Sequence, residues 1–202
     1  MLLRLLKEKK LNLKKMNNIN IYLEANPNPN SLKFVTDKML LDEGIIKDYP
    51  DKQSASDSPL AKSLFDFEYI DRVFIMSNFI TITKNNQVIW DDIKLEIRNY
   101  LKKYLEEGKI ILEPKKLKKK ENIPDREIDK KIVEVLEEYI KPAVEQDGGA
   151  IQFESFKKGT VKVSLQGACS GCPSSMITLK SGIEKLLKRF IPEVQEVVAE
   201  EI

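Results

Sequence analysis

The 202 residues suffice for one large domain or two small ones, and a hydrophobic content of 42% supplies enough apolar side chains for packed cores. Charged residues make up 33%, but both signs are present and the net charge is only +2, which lacks the strongly basic footprint of a nucleic-acid-binding domain. No stretch approaches the run of roughly 18 apolar residues that a membrane-spanning helix needs, so nucleic acid and membrane are both set aside as partners.

The opening "MLLRLLKEKKLNLKK" is basic, yet it has no sustained apolar segment and no small-residue cleavage site, so it reads poorly as a secretory signal. Residues 1–18 are read as an N-terminal extension, with Met1 and Met16 both candidate starts. The expected compartment is the bacterial cytoplasm, with an organelle matrix as the other reading. In a reducing compartment a CxxC pair more often binds metal or does chemistry than forms a structural disulfide.

Residues 20–25, "NIYLEA", read as a strand, and "NPNPNS" (26–31) follows as a turn in which Asn26, Asn28 and Asn30 serve the backbone. "LKFVTDKML" (32–40) alternates as a second strand, and residues 48–58 read as a polar loop. Ser58 followed by Pro59 is the pattern of an N-cap with proline at the first helical position, so a short helix is expected with Leu60, Leu64 and Phe67 inward. "YIDRVFIMS" and "NFITITKN" read as two more strands, with Phe74 and Phe79 as core, like Phe65 on the helix before them. Residues 90–107 place Trp90, Ile93, Ile97, Leu101 and Tyr104 at helical spacing, and Gly108 stops that helix. The first half is therefore ββαββα.

Residues 109–124 carry two prolines and the run "PKKLKKK", which reads as a solvated linker or, in a sharper reading, as a patch for an acidic partner. Beyond it, Ile128, Ile132, Val135, Leu136, Tyr139 and Ile140 form an apolar helical stripe that Pro142 bends or ends. "DGG" (147–149) reverses the chain, because glycine reaches positive φ without steric cost. Two strands joined by "KKGT" form a hairpin with Val161, Val163 and Leu165 on one face. A cysteine loop, a helix over 173–190 with apolar positions from Met176 to Phe190, and a last short strand complete the order αββαβ. The fold class is α+β: two small mixed domains, 19–108 and 125–202, joined by the basic linker 109–124.

The chemistry centres on "GACSGCPSS" (167–175), which holds Cys169 and Cys172, the only two cysteines in a chain with no histidine. Soft thiolates favour zinc, copper(I) and iron–sulfur clusters, and closed zinc or iron–sulfur sites need about four nitrogen or sulfur ligands. One chain supplies two, so, unless carboxylates fill in, a Cys-rich site closes when two chains each give one pair, naturally about a twofold axis. Pro173 suits a first helical turn, whose free N–H groups and partial positive charge favour thiolate. Ser174 and Ser175 read first as helix caps. Three alternatives stay open on the residues alone: a thioredoxin-like dithiol, a zinc site pinning a dimer, and two inert buried thiols.

The segments "KPAVEQDGGAIQF" (141–153), "GTVKVSLQGACSGCPSSMITLKSGIEKLLKR" (159–189) and "IPEVQEV" (191–197) resemble the C-terminal domain of NifU-like proteins, the Nfu type of iron–sulfur carrier. "NPNPNSLKF" (26–34), "SPLAKSLF" (58–65), "VFIMSNFITITK" (73–84) and "WDDIK" (90–94) are similar to the N-terminal domain that accompanies that module. The resemblance implies a non-enzymatic homodimer in which Cys169 and Cys172 of two subunits hold a labile [4Fe–4S] cluster, or a [2Fe–2S] one. It implies delivery to apo iron–sulfur client proteins and loading by an upstream scaffold. The N-terminal domain, with no cysteine and no histidine, offers no catalytic constellation, and its default role is client or partner recognition.

Overall fold

The computed structural model describes residues 18–114, 126–170 and 173–201, with the side chains of 173–178 and 201 excepted. The basic run, most of the N-terminal extension, Gly171 and Cys172 lie outside the described residues.

The first half builds a five-stranded antiparallel sheet from β1 (Ile21–Ala25), β2 (Ser31–Thr36), β3 (Ile46–Tyr49), β4 (Ile70–Met76) and β5 (Phe79–Lys84), in spatial order β1-β2-β5-β4-β3. Strands alternate their side chains between faces. Leu32 and Phe34 of β2, Val73 and Ile75 of β4, and Ile80 and Ile82 of β5 therefore share one face. Helices α1 (Pro59–Leu64) and α2 (Trp90–Glu106) cover it, contributing Leu60, Leu64, Ile93, Ile97 and Leu101 to the same buried cluster. Each large aliphatic side chain removed from water here contributes about 1.5–3 kcal/mol. Trp90 packs on this core from its edge, with its ring 6.3 Å from that of Phe34, and Phe65 is likewise partly buried against it.

The observed order is βββαββα rather than ββαββα. Residues 46–49, partly assigned to a loop on sequence, form edge strand β3 in register with β4 from Ile46 opposite Met76 to Tyr49 opposite Val73. The strand has four residues, and two of them, Lys47 and Asp48, are charged. Charged side chains suit an edge strand, whose unpaired backbone would otherwise invite another chain. They also hide it from a search for apolar alternation.

Ser58 caps α1 as expected: its Oγ accepts from the Ala61 N–H at 3.1 Å, and its hydroxyl donates to the Ile111 carbonyl at 2.6 Å. A single fully buried side chain thus starts a helix and ties down the segment that follows α2.

In the second half, α3 (Glu127–Val135) runs into a π turn (Leu136–Ile140) and continues as α4 (Lys141–Gln146). Pro142 has no N–H to donate to the preceding turn and its ring crowds the carbonyl four residues back. The helix is widened there rather than ended, with the Lys141 N–H reaching back to the Leu136 carbonyl. Strands β6 (Gly149–Lys157) and β7 (Thr160–Gly167) form the hairpin, turning through Lys158 and Gly159 at positive φ. Helix α5 (Pro173–Phe190) then crosses back so that β8 (Glu196–Glu201) lies parallel to β7. Ile132, Val163, Leu165, Ile183 and Leu187 make the core of this three-stranded unit. No described helix is long and apolar enough to cross a membrane.

Replacing Ser58 by Ala should cost about 1–2 kcal/mol, because both the cap and the tether to Ile111 are lost. Urea denaturation of the variant checks this, and an unchanged midpoint would show that the cap contributes nothing.

Candidate metal centre

The cysteine loop begins where β7 ends. Gly167 takes φ +65°, a conformation that side chains disfavour, and so turns the chain out of the strand. The loop is held by backbone bonds from the Ala168 N–H to the Gly148 carbonyl (3.2 Å) and from the Ser170 N–H to the Gly167 carbonyl (3.2 Å). Gly148, at φ +78°, ends α4 and starts the reversal into β6. The two glycine turns therefore lean on each other across the sheet end.

Cys169 points inward and is only 5% exposed, packed into the core of the C-terminal unit. Its neighbour is Gly149: a methyl group there would lie 2.8 Å from Cys169 Sγ and 2.6 Å from the Gln166 carbonyl. The absent side chain at 149 is the cradle for the thiol. Ala168 and Ser170 on either side are equally buried, at 3% and 4% exposure. Ser170 Oγ finds no hydrogen-bond partner among the described residues. Helix α5 starts at Pro173, so its N-terminal N–H groups and their partial positive charge lie three residues beyond Ser170.

Of the predicted ligands, the structure thus places Cys169, while Cys172 lies outside the described residues, and the capping roles read for Ser174 and Ser175 fall on side chains outside them too. Among the described residues, no three Cys, Asp or Glu side chains converge to hold a metal ion. Cys169 offers one soft donor at a strand–helix junction, which suits a thiolate-bound metal or cluster completed by further thiolates.

The first half also reaches the loop. Asn28 keeps its turn role, with its Oδ1 accepting from the Asn30 N–H, but its Nδ2 donates to the Ala168 carbonyl at 3.0 Å. The Gly167 N–H donates to Asp48 Oδ2 at 3.0 Å, and Arg72 Nη1 donates to the same oxygen at 2.7 Å. Burial pushes the Asp48 carboxyl above its ordinary range, opposed by the Arg72 guanidinium and the Gly167 N–H. Lys33 Nζ donates to the Gln146 carbonyl at 3.1 Å, placing a cation at the C-terminal end of α4 where helix carbonyls are unpaired. Phe74, Met76 and Phe79, from the sheet face opposite α1 and α2, form a small apolar cluster with Ala150.

Sequence reasoning missed Asn28 and Asp48 as neighbours of the cysteine loop. One signal was available: "VFIM" (73–76) is apolar at four consecutive positions, the pattern of a strand covered on both faces rather than one. Phe74 and Phe79 were read as core, and they are buried, but in this junction rather than under the helices.

Two family models match the chain: "Scaffold protein Nfu/NifU N terminal" over residues 21–108 and "NifU-like domain" over residues 132–198. The chain is 41% identical over 186 residues to "NifU-like protein 4, mitochondrial" of Arabidopsis thaliana, covering 89% of this chain and 65% of that protein. It is 41% identical over 179 residues to "NFU1 iron-sulfur cluster scaffold homolog, mitochondrial" of Drosophila grimshawi, covering 88% and 60%. The chain thus spans a little under two thirds of the length of these relatives. A solution NMR structure of a NifU-like protein from Saccharomyces cerevisiae matches with a TM-score of 0.42 and 31% identity, over 48% of this chain and 87% of that one.

Gly149→Ala should destabilise the chain by about 1–3 kcal/mol, because the added methyl overlaps the Cys169 sulfur. Gly182→Ala is the contrast: it sits within α5 with nothing within 4 Å of the new methyl, so helix propensity should stabilise it by about 0.5–1 kcal/mol. Equilibrium urea unfolding of both variants checks the pair, and equal losses would contradict the cradle.

Proposed function

The chain belongs to the Nfu family of NifU-like scaffold proteins, and from that premise we propose that it carries an iron–sulfur cluster as cargo between two copies of itself. The observation that carries this reading is the donor count: two cysteines, spaced CxxC, and no histidine in 202 residues. Cys169 and Cys172 from each of two subunits give four thiolates, the set that a [4Fe–4S] or [2Fe–2S] cluster takes. The relatives named as iron–sulfur cluster scaffolds support an iron–sulfur cargo, and the subunit-bridging [4Fe–4S] form follows from the thiolate count of two chains.

In this reading the protein is not an enzyme. An upstream scaffold loads the cluster, and apo iron–sulfur proteins receive it. Thiolates of the recipient replace Cys169 and Cys172 on iron one by one, and the released thiolates take up protons from solvent. A site shared between subunits suits release, because separation of the dimer opens the cluster to attack. The residues divide into a partner-recognition domain (19–108), a linker (109–124) and the cluster domain (125–202). The mitochondrial names of the relatives favour an organelle matrix over the bacterial cytoplasm expected from the sequence.

The test is anaerobic reconstitution with iron and sulfide, followed by incubation with an apo [4Fe–4S] protein whose activity reports transfer. Cys169→Ala and Cys172→Ala should each abolish stable cluster binding and reduce transfer to the level of free iron and sulfide. A variant that still loads and transfers normally would remove that cysteine from the site.

A further inference from the structure

The sheet of the first half has two buried faces. One is covered by α1 and α2. The other presents Lys33, Asp48, Phe74, Met76, Phe79 and Thr81, and what covers it is the cysteine-loop end of the same chain. We propose that this second face is a latch for the cysteine loop, and that its release controls access to Cys169.

The contacts lie at the end of the strand just before the thiol. Asp48 holds the Gly167 N–H and Asn28 holds the Ala168 carbonyl, so the 166–167 and 168–169 peptide units are held from the first half of the chain. Close approach depends on glycine on the loop side. A methyl group on Gly148 would lie 2.7 Å from Thr81 Oγ1, and one on Gly167 would lie 2.8 Å from Phe74 Cγ. The two turn glycines therefore serve the junction as well as the turns.

The latch is built to open. Asp48 Oδ1, Thr81 Oγ1 and Ser170 Oγ are all buried along this junction with no hydrogen-bond partner among the described residues. A cleft of about 250 Å³, lined by Asn28, Asn30, Arg72, Thr83 and Lys84 on one side and by Ser170 on the other, runs into the seam. Interfaces of this polar, incompletely filled kind are those along which domains move. Cys169 is 5% exposed as a residue, so sharing a metal with a second molecule needs it more exposed than it is in this arrangement. The purpose of the latch rests on the carrier reading above, but its mechanics do not.

The experiment measures thiol alkylation by iodoacetamide in the full chain carrying Cys172→Ser, so that Cys169 alone reacts. Asp48→Ala removes the bond to Gly167. Thr81→Trp wedges the same face apart by pressing on Gly148, and leaves Asp48 and the asparagine turn in place. Each should raise the alkylation rate of Cys169 about tenfold or more by enlarging the open population, with far-UV circular dichroism unchanged. Thr81→Trp lies on the junction face rather than under the helices, so it carries the test if Asp48→Ala does not fold. Rates equal to the parent in a folded Thr81→Trp chain would overturn the latch and show that the C-terminal unit alone buries the thiol. Parallel reconstitution of the same wedge with Cys172 retained separates the two readings. Faster alkylation without any cluster would keep the latch and remove the carrier, whereas a cluster with unchanged alkylation would do the reverse.

Discussion

The sulfur of Cys169 occupies the space that a side chain at position 149 would fill, and the arrangement of the C-terminal unit follows from that contact. For the thiol to sit there, β7 must end sharply, which Gly167 does at positive φ, and α4 must reverse into β6 directly beneath it, which Gly148 does. The hairpin then brings Gly149 opposite Gly167 in register, so the three glycines and the thiol form one packed knot at the end of the sheet. Such a knot tolerates no added carbon, because protein interiors are packed at crystal-like density. Helix α5 departs from this knot, and its N-terminus gives the loop a positive electrostatic setting for thiolate ligands.

The same knot is where the two halves of the chain meet. The five-stranded sheet buries large side chains under its helices and a second, smaller set against Ala150. Lys33 and Asp48 of its strands, with Asn28 of the turn before β2, each engage a backbone group of the C-terminal unit rather than a side chain. Backbone recognition of this sort reads the shape of the glycine turns more than the chemistry of their neighbours. It links a half of the chain with no thiol of its own to Gly167 and Ala168, the two residues that precede Cys169.

Much of this architecture is written in local sequence. Ser58 before Pro59 marks a real cap, the spacing from Ile93 to Tyr104 marks a real helix, and the chain turns where Gly148 and Gly159 stand. These features depend on near neighbours, so a one-dimensional pattern carries them. Strand β3 escaped because an edge strand of four residues, half of them charged, owes its existence to β4 and not to its own composition. The π turn escaped because a proline inside a helix can end it or widen it, and tertiary packing decides which. Asn28 and Asp48 escaped for a deeper reason. An asparagine in a turn satisfies its local role completely, and nothing nearby shows that its second amide hydrogen bonds a carbonyl 140 residues away. The burial of Cys169 was likewise hidden by a loop of small polar residues, whose composition suggests exposure.

The central claim is that two chains complete one site. The most direct measurement is native mass together with iron and sulfide analysis of anaerobically reconstituted protein. The account predicts a dimer holding about four iron and four sulfide, which returns to monomer when a chelator strips the metal. Tightly bound zinc in place of iron, or a metal-free monomer that reduces disulfides, would contradict it.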